Sequence, residues 1–261
     1  MAVPKERGTM SPRILIYDLE VTPSLGWTYG LYQTNVLRVE RNPIIMSFSY
    51  MWYEPGAVKK ITHERISQKE LKNWSDKSLA IKLRDLFIEA DIVIAHNANR
   101  FDNKVATAAF LRNGLTPPSP YKTVDTLTVA RSIARFGSNS LDSLGETFGI
   151  GQKSEVKHSD LWYPCLMGDK KAWELMETYN NQDVDLLYRL YEKLRPYIRN
   201  HPNLGDLMQA DHVCPKCLSP NLKKEGTHAR RAGRVQSYSC KDCGGWCNEA
   251  SVRHTGRTVN G

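Results

Sequence analysis

Five side chains in three separate segments of this 261-residue chain have the types and settings to act on a phosphate ester: Asp18 and Glu20, then Asp102, then Asp183 with Tyr179 four residues ahead of it. Arg13-Ile14-Leu15-Ile16-Tyr17-Asp18-Leu19-Glu20 is an apolar run that ends in Asp-x-Glu. His96-Asn97-Ala98-Asn99-Arg100-Phe101-Asp102 follows a second apolar run and opens a helical segment, and Tyr179-Asn180-Asn181-Gln182-Asp183 has helical spacing. Carboxylates gathered from such places are hard oxygen ligands, and a pair of Mg²⁺ or Mn²⁺ ions held by them is a common device for hydrolysing phosphodiesters. Asp18, at a strand end, can bridge two ions. Glu20 and Asp183 then complete the ion that carries the attacking water, and Asp102 serves the ion on the leaving-group side. Tyr179 lies one helical turn before Asp183 on the same face, so its hydroxyl can orient that water; packing in the core is its competing use.

An Asp-x-Glu alone is expected about once by chance in a chain of this length. The weight therefore rests on three patterns occurring in order, each on a suitable element. The alternative leaves Asp18 at a strand end, Asp102 as a helix cap and Asp183 on a solvated face, and the joint occurrence weighs against it.

The elements that must position these groups follow from periodicity. Residues 13–18 predict a buried strand, and Thr22 to Asn42 a long aromatic-rich connection. Ile44–Trp52 and Val58–His63 predict two strands about the turn Glu54-Pro55-Gly56. Lys69–Glu89 predicts one helix, Asp91–Ala95 a fully apolar strand, Phe101–Arg112 a helix stopped by Asn113-Gly114, and Tyr121–Asp125 a last strand leading into a helix over Leu127–Phe136. A further helix starts at Asn139-Ser140 and ends at Phe148-Gly149. Gly151–Lys170 reads as irregular, with the polar stretch Lys153 to His158 an ordinary connection that could overhang the site. Trp173–Arg195 is a long helix carrying Tyr179 and Asp183. Strands in a row followed by strands alternating with helices indicate an α/β fold built on a mixed five-stranded sheet flanked by helices.

Length and a 41% hydrophobic content suit one sizeable domain plus something small. No apolar run is long enough to span a bilayer, and the first residues do not form a secretory signal, so the expectation is a cytoplasmic protein with no membrane partner, in a host cytoplasm if it is viral. The +8 net charge is localised: residues 212–261 carry nine Lys/Arg against three Asp/Glu, residues 1–13 three against one, and the body balances. A basic module beside a neutral body favours a polyanion, most simply nucleic acid. The expected organisation is a disordered basic stretch over 1–11, a main domain over 12–200, a linker over 201–212, a small module over 213–250 and a basic tail over 251–261.

Five of the six cysteines lie in that basic region. Cys214-Pro215-Lys216-Cys217 and Cys240-Lys241-Asp242-Cys243 form two C-x₂-C pairs, a spacing that suits one tetrahedral Zn²⁺ in a reducing compartment. So small a module can hardly fold on its own core, so the metal would supply the folding energy. Cys247 and His254 remain alternatives for one ligand. Lys223, Lys224, Arg230, Arg231 and Arg234 lie between the pairs and could track phosphates, with Tyr238 and Trp246 as stacking surfaces; a solvated basic face or a protein-docking module is the bland alternative. Near the first motif, Trp27, Tyr29 and Tyr32 could stack on bases, but core packing is the expected use of each. His96 reads as a satisfied buried histidine and Cys165 as inert.

Asp18-x-Glu20, Asn97-x-x-x-Phe101-Asp102 and Tyr179-x-x-x-Asp183 resemble the three motifs of the DEDD exonucleases, in the subclass with tyrosine in the third motif. The sister subclass, which has His-x-x-x-x-Asp, is excluded because position 178 is Thr. The resemblance spans about residues 12–198. It implies a ribonuclease H-like fold, two-metal catalysis and removal of nucleotides from a 3′ end, with Asn97 and Phe101 as nucleic-acid contacts. Asp18 to Pro23 with Trp27-Thr28-Tyr29-Gly30-Leu31 is similar to DnaQ-like, DNA-polymerase-type proofreading exonucleases that phages encode as separate proteins. That similarity implies DNA rather than RNA as substrate and a replication or polymerase partner served in trans. The cysteine module, over about residues 212–247, resembles transposase-type zinc ribbons. The rivals are an exoribonuclease of the same mechanism and a binding or recruitment protein on an idle nuclease fold.

Overall fold

The computed structural model describes residues 11–30, 32, 35–55, 58–151, 158–231 and 233–253. The chain forms β1 (Ile14–Val21), a short ribbon β2 (Leu25–Trp27) and β3 (Arg38–Arg41), then β4 (Ile45–Trp52) and β5 (Thr62–Arg65). Next come α1 (Gln68–Asn73), α2 (Lys77–Glu89), β6 (Ile92–Ala95), α3 (Asp102–Arg112), β7 (Lys122–Asp125) and α4 (Thr126–Ile133). Helices α5 (Leu141–Phe148), α6 (His158–Leu166) and α7 (Lys170–Leu194) follow, with a 3-10 turn over Arg195–Tyr197. Last are α8 (Leu204–Met208), β8 (Leu222–Arg230), β9 (Gly233–Cys240), β10 (Trp246–Asn248) and α9 (Glu249–Val252).

The main sheet has the order β5-β4-β1-β6-β7. β4 pairs antiparallel with β1 and β5, while β6 runs parallel to β1 and β7. This is the mixed five-stranded sheet expected from the pattern of elements. Alternation along β1 sorts its side chains. Leu15, Tyr17 and Leu19 join Phe48, Leu83 and Phe87 in one core cluster, whereas Ile14 and Ile16 join Ile94, Val184, Leu187 and Tyr191 of α7 in the other. Asp18 and Glu20 continue the second set, so they stand on the face that α7 covers. They pair across the sheet with Ser49 and Ser47 of β4, both fully buried.

Several elements depart from expectation, each for a local reason. The 22–42 connection contains the β2–β3 ribbon. β5 begins at Thr62 rather than Val58, because its pairing with β4 starts at Tyr50↔Thr62. The predicted 69–89 helix is two helices: Trp74 adopts a left-handed conformation (φ 51°), with its indole N–H donating to the Asn42 carbonyl at 2.7 Å. Buried Asp76 then accepts from the Ile45 backbone N–H at 3.0 Å and from Asn113 Nδ2 at 2.8 Å, and pairs with Arg112. That carboxylate pins β4 to the end of α3 at the break between the two helices. Part of the segment expected to be irregular is α6, which contains Pro164, a residue that reads as a helix breaker. Leu161 and Cys165 of α6 enter the core. Residues 152–157 of the polar stretch lie outside the described residues. Helix α7, 25 residues long, starts on an Asp169 cap whose Oδ1 accepts from the backbone N–H groups of Lys171 and Ala172.

The segment 201–212, read as a linker, holds α8, capped by Asn203, and buries Leu204 among the side chains packed on α7. The cysteine module closes on it. The Leu204 N–H donates to the Pro215 carbonyl (2.9 Å), buried Lys216 donates to the Pro196 carbonyl (2.5 Å), and Asn203 Nδ2 donates to the Ser251 carbonyl (3.1 Å). Among the described residues, no helix is long and apolar enough to cross a membrane.

Candidate active site and cysteine centre

β1 delivers two acids and α7 the third. One oxygen each of Asp18, Glu20 and Asp183 can be chosen so that all lie within 4.8 Å of one another. Glu20 and Asp183 are buried, and Asp18 is partly exposed. The pairing register with β4 shifts between Glu20 and Val21, the kind of irregularity that re-aims side chains beside active sites. Three mutually repelling carboxylates in a desolvated corner are costly without a counter-charge, and their hard oxygens fit a divalent cation of the Mg²⁺ or Mn²⁺ type.

Asp102 lies outside this group of three. It is the first residue of α3 and is almost fully buried. β6 pairs with β1 only as far as Ile16, and beyond that point the Leu19 backbone hydrogen-bonds to the Asp102 carboxylate. Burial pushes the Asp102 carboxyl up to about 7; hydrogen bonds from its own and the Leu19 backbone oppose the rise, and the Asp125 charge adds to it. A cation at this carboxylate would offset the burial term.

Two side chains that sequence reasoning did not single out hold the site in place. Asn180, wholly buried on α7, donates from Nδ2 to Asp18 Oδ2 at 2.7 Å. Its neighbour Asn181 accepts from Ser49 Oγ at 2.7 Å, and Ser49 lies 3.0 Å from His63 Nδ1. A polar net therefore links α7, β1, β4 and β5 beneath the acids. Asp125, at the end of β7, accepts from the backbone N–H groups of Asn97 and Asn99 (both 3.1 Å) while also capping α4. It fixes the turn before Asp102, in which Asn97 has a left-handed φ of 73°, a conformation Asn tolerates better than most residues. The only signals for either residue were an amide inside Tyr-x-x-x-Asp and an Asp at a strand end.

Tyr179 is buried, its ring edge-to-face with Trp162 of α6 at 5.9 Å. Phe101, just before Asp102, is 41% exposed. His96 is satisfied, its two ring nitrogens each 2.9 Å from Thr126 Oγ1 and the Asn139 carbonyl. Burial pushes the Cys165 thiol up to about 12, which keeps it protonated and unreactive. Trp27, Tyr29 and Tyr32 do not pack in the core; all three are exposed.

The cysteine centre is local. Cys214, Cys217, Cys240 and Cys243 bring their sulfurs within 4.8 Å of one another, with Cys214–Cys243 at 3.7 Å and Cys217–Cys240 at 3.6 Å. Tetrahedral Zn–S bonds of about 2.3 Å require sulfurs about 3.8 Å apart, so the four fit that ion. Cys247 lies outside the group and packs with Tyr238 and Val252, and His254 lies outside the described residues. Tyr238 is therefore part of the module's small core rather than a stacking surface, whereas Trp246 is exposed. Lys223, Lys224, Arg231 and Arg234 are exposed and Arg230 lies on β8; Arg234 donates to Thr227 Oγ1 and the Thr227 carbonyl.

Residues 32–195 match the RNase_H superfamily, and the chain belongs to it. The chain is also similar to a DNA polymerase III PolC-type protein of Ureaplasma parvum serovar 3 (strain ATCC 700970), at 25% identity over 162 residues. That match covers 55% of this chain and spans only 11% of the relative's length. Among solved structures, a family B DNA polymerase from the hyperthermophilic archaeon Pyrobaculum calidifontis aligns with a TM-score of 0.48 at 16% identity, over 74% of this chain and 26% of that one. Membership of the RNase_H superfamily is consistent with a nuclease, and the acidic cluster and the four-cysteine group could each hold metal.

Proposed function

We propose that the chain is a metal-dependent 3′–5′ exonuclease of the DEDD type with tyrosine in the third motif, acting on DNA with single-stranded or frayed ends. The observation that carries this reading is the meeting of Asp18, Glu20 and Asp183, from two distant segments, within 4.8 Å at the bulged end of the central strand. In this reading Asp18, Glu20 and Asp183 would hold one divalent cation, and Asp102 with Asp18 would hold a second. Such a pair stabilises the attacking and departing oxygens of an in-line displacement at phosphorus. Tyr179, packed against Trp162, orients the attacking water, and Asn180 keeps the Asp18 carboxylate turned into the site. Asn97 and exposed Phe101 contact the terminal nucleotide.

The cysteine module then acts as a zinc ribbon over about 213–250, joined by 201–212 to a nuclease domain over 12–200. Its Lys223, Lys224, Arg230, Arg231 and Arg234 hold phosphates without reading sequence. DNA is favoured over RNA by the likeness to a protein named as a DNA polymerase and by the resemblance of residues 18–31 to proofreading exonucleases of phages. The same likeness supports a polymerase or replication partner and work in the cytoplasm.

The test is digestion of 5′-labelled single-stranded DNA and RNA of one sequence with Mg²⁺ or Mn²⁺, beside an Asp18→Ala control. A ladder shortening from the 3′ end, stronger on DNA and absent in the control, is expected. A preference for RNA would reassign the substrate. Intact substrate in every lane, from protein that is folded and metal-loaded, would overturn the nuclease reading in favour of a binding protein.

A further inference from the structure

The β2–β3 ribbon begins five residues after Glu20, and its strands are exposed along their whole length, with nothing covering them among the described residues. Trp27, Tyr29 and Tyr32 are 63%, 93% and 86% exposed, and Val36, Leu37 and Val39 are exposed with them. A two-stranded ribbon with no core of its own is marginal, yet this one is held in shape. Gly26 lies so close to β3 that a Cβ there would stand 2.6 Å from Val36 Cγ1 and 2.7 Å from the Arg38 carbonyl oxygen. The Trp27 indole N–H donates to Glu40 Oε1 at 2.6 Å, and the Arg41 guanidinium lies 5.0 Å over the Trp74 ring, tying the ribbon's base to the body. Exposed large apolar side chains concentrated on one short ribbon mark a place where something binds.

We propose that the ribbon is a stacking platform for unpaired nucleotides upstream of a 3′ end seated at the carboxylates. The proposal rests on the nuclease reading and adds to it a site for single-stranded nucleic acid. Three observations select this occupant. Aromatic rings are the surface that bases recognise without regard to sequence, and three of them stand within residues 27–32. Between Val21 and Pro43 the one acid is Glu40, which is engaged by the Trp27 indole, while Arg38, paired across the ribbon from Trp27, can meet a phosphate. The ribbon is also a direct continuation of the strand bearing Asp18 and Glu20. Five residues of chain, each reaching at most roughly 3.4 Å, put Leu25 within about 17 Å of Glu20.

The experiment uses the full chain. In an Asp18→Ala background, anisotropy of a 5′-fluorescein oligothymidylate of about twelve nucleotides reads binding alone. Trp27→Ala, Tyr29→Ala and Tyr32→Ala should each weaken it at least about fivefold, and the triple substitution at least about fiftyfold. Gly26→Val, which keeps the rings but distorts the ribbon, should weaken it comparably. In the active chain, the preference in kcat/KM for the oligonucleotide over a thymidine dinucleotide should collapse by a similar factor in the triple variant. Unchanged affinity in all four single variants and the triple would overturn the platform. So would unchanged affinity together with a wild-type dimer that the triple substitution dissociates in light scattering, since the ribbon would then dock a second copy. If the active chain cuts neither substrate, the nuclease reading fails, while the anisotropy still decides whether the ribbon binds single strands.

Discussion

The carboxylate site and the cysteine site differ in how far apart in the chain their ligands begin. Asp18 and Asp183 are separated by most of the main domain and meet only because β1 is central and α7 crosses it. Cys214 and Cys217, and Cys240 and Cys243, come from two tight turns joined by the β8–β9 hairpin. The first site is a by-product of a large hydrophobic core that would exist without it: Ile14, Ile16, Val184 and Leu187 pack whether or not an ion binds. The second sits in a module whose buried apolar cluster is Tyr238, Cys247 and Val252, with Leu222 against it. Too little surface is removed from water there to hold the hairpin. An ion would therefore add chemistry to one region and supply the fold of the other.

Four experiments test that contrast, beginning with the largest effect. Cys240→Ser should abolish zinc binding, forfeiting an apparent metal free energy on the order of 10 kcal/mol, and open residues 213–250 to protease while the main domain stays folded. Retained protection with no zinc on metal analysis would show that the module has an adequate core after all. Asp18→Ala or Asp183→Ala should cut the rate of phosphodiester hydrolysis by roughly a thousandfold or more, with no fall in the thermal midpoint in metal-free buffer, because like charges repel in the empty site. A large drop in that midpoint would mean that the acids are structural.

Asn180→Leu keeps the side chain's volume and removes the donor to Asp18. It should raise the Mn²⁺ concentration for half-maximal activity about ten- to a hundredfold. If the midpoint for Mn²⁺ stays put while stability falls, Asn180 is only a packing residue. The smallest effect is electrostatic: replacing Lys223, Lys224, Arg231 and Arg234 together by Ala should lower the slope of log affinity against log salt by up to about 3, roughly 0.7 for each single-strand phosphate that is no longer neutralised. An unaltered slope would make the module a protein-docking surface.

The two sites were also unequally legible. The two cysteine pairs were read from their spacing, and the structure gathers their four sulfurs; of the acids in the three motifs it gathers Asp18, Glu20 and Asp183 and leaves Asp102 outside the group. The run over residues 13–18 reads as a buried strand with Asp18 at its end, but only the packed structure sorts Leu15, Tyr17 and Leu19 into one core cluster and Ile14 and Ile16 into the other. Asn180 and Asp125 could not be read as positioning groups, since their partners, Asp18 and Asn97 with Asn99, are brought to them by the sheet. The break at Trp74 has the same origin in Asp76, which answers to Ile45 and Asn113 rather than to its own helix.

Trp27, Tyr29 and Tyr32 make the point from the other side. Their composition argued for burial, and only the placement of the ribbon beyond the edge of the core left them in water. What this sequence determined by itself is what local chemistry can specify: apolar strand runs, a helix start at Asn139-Ser140, thiol pairs at zinc spacing, and an acid at the end of an apolar run. Tertiary structure decided which acids share a corner, which amide steers Asp18, and which aromatic rings stay exposed. Those outcomes depend on contacts between residues far apart in the chain, and such contacts form only when the whole core packs.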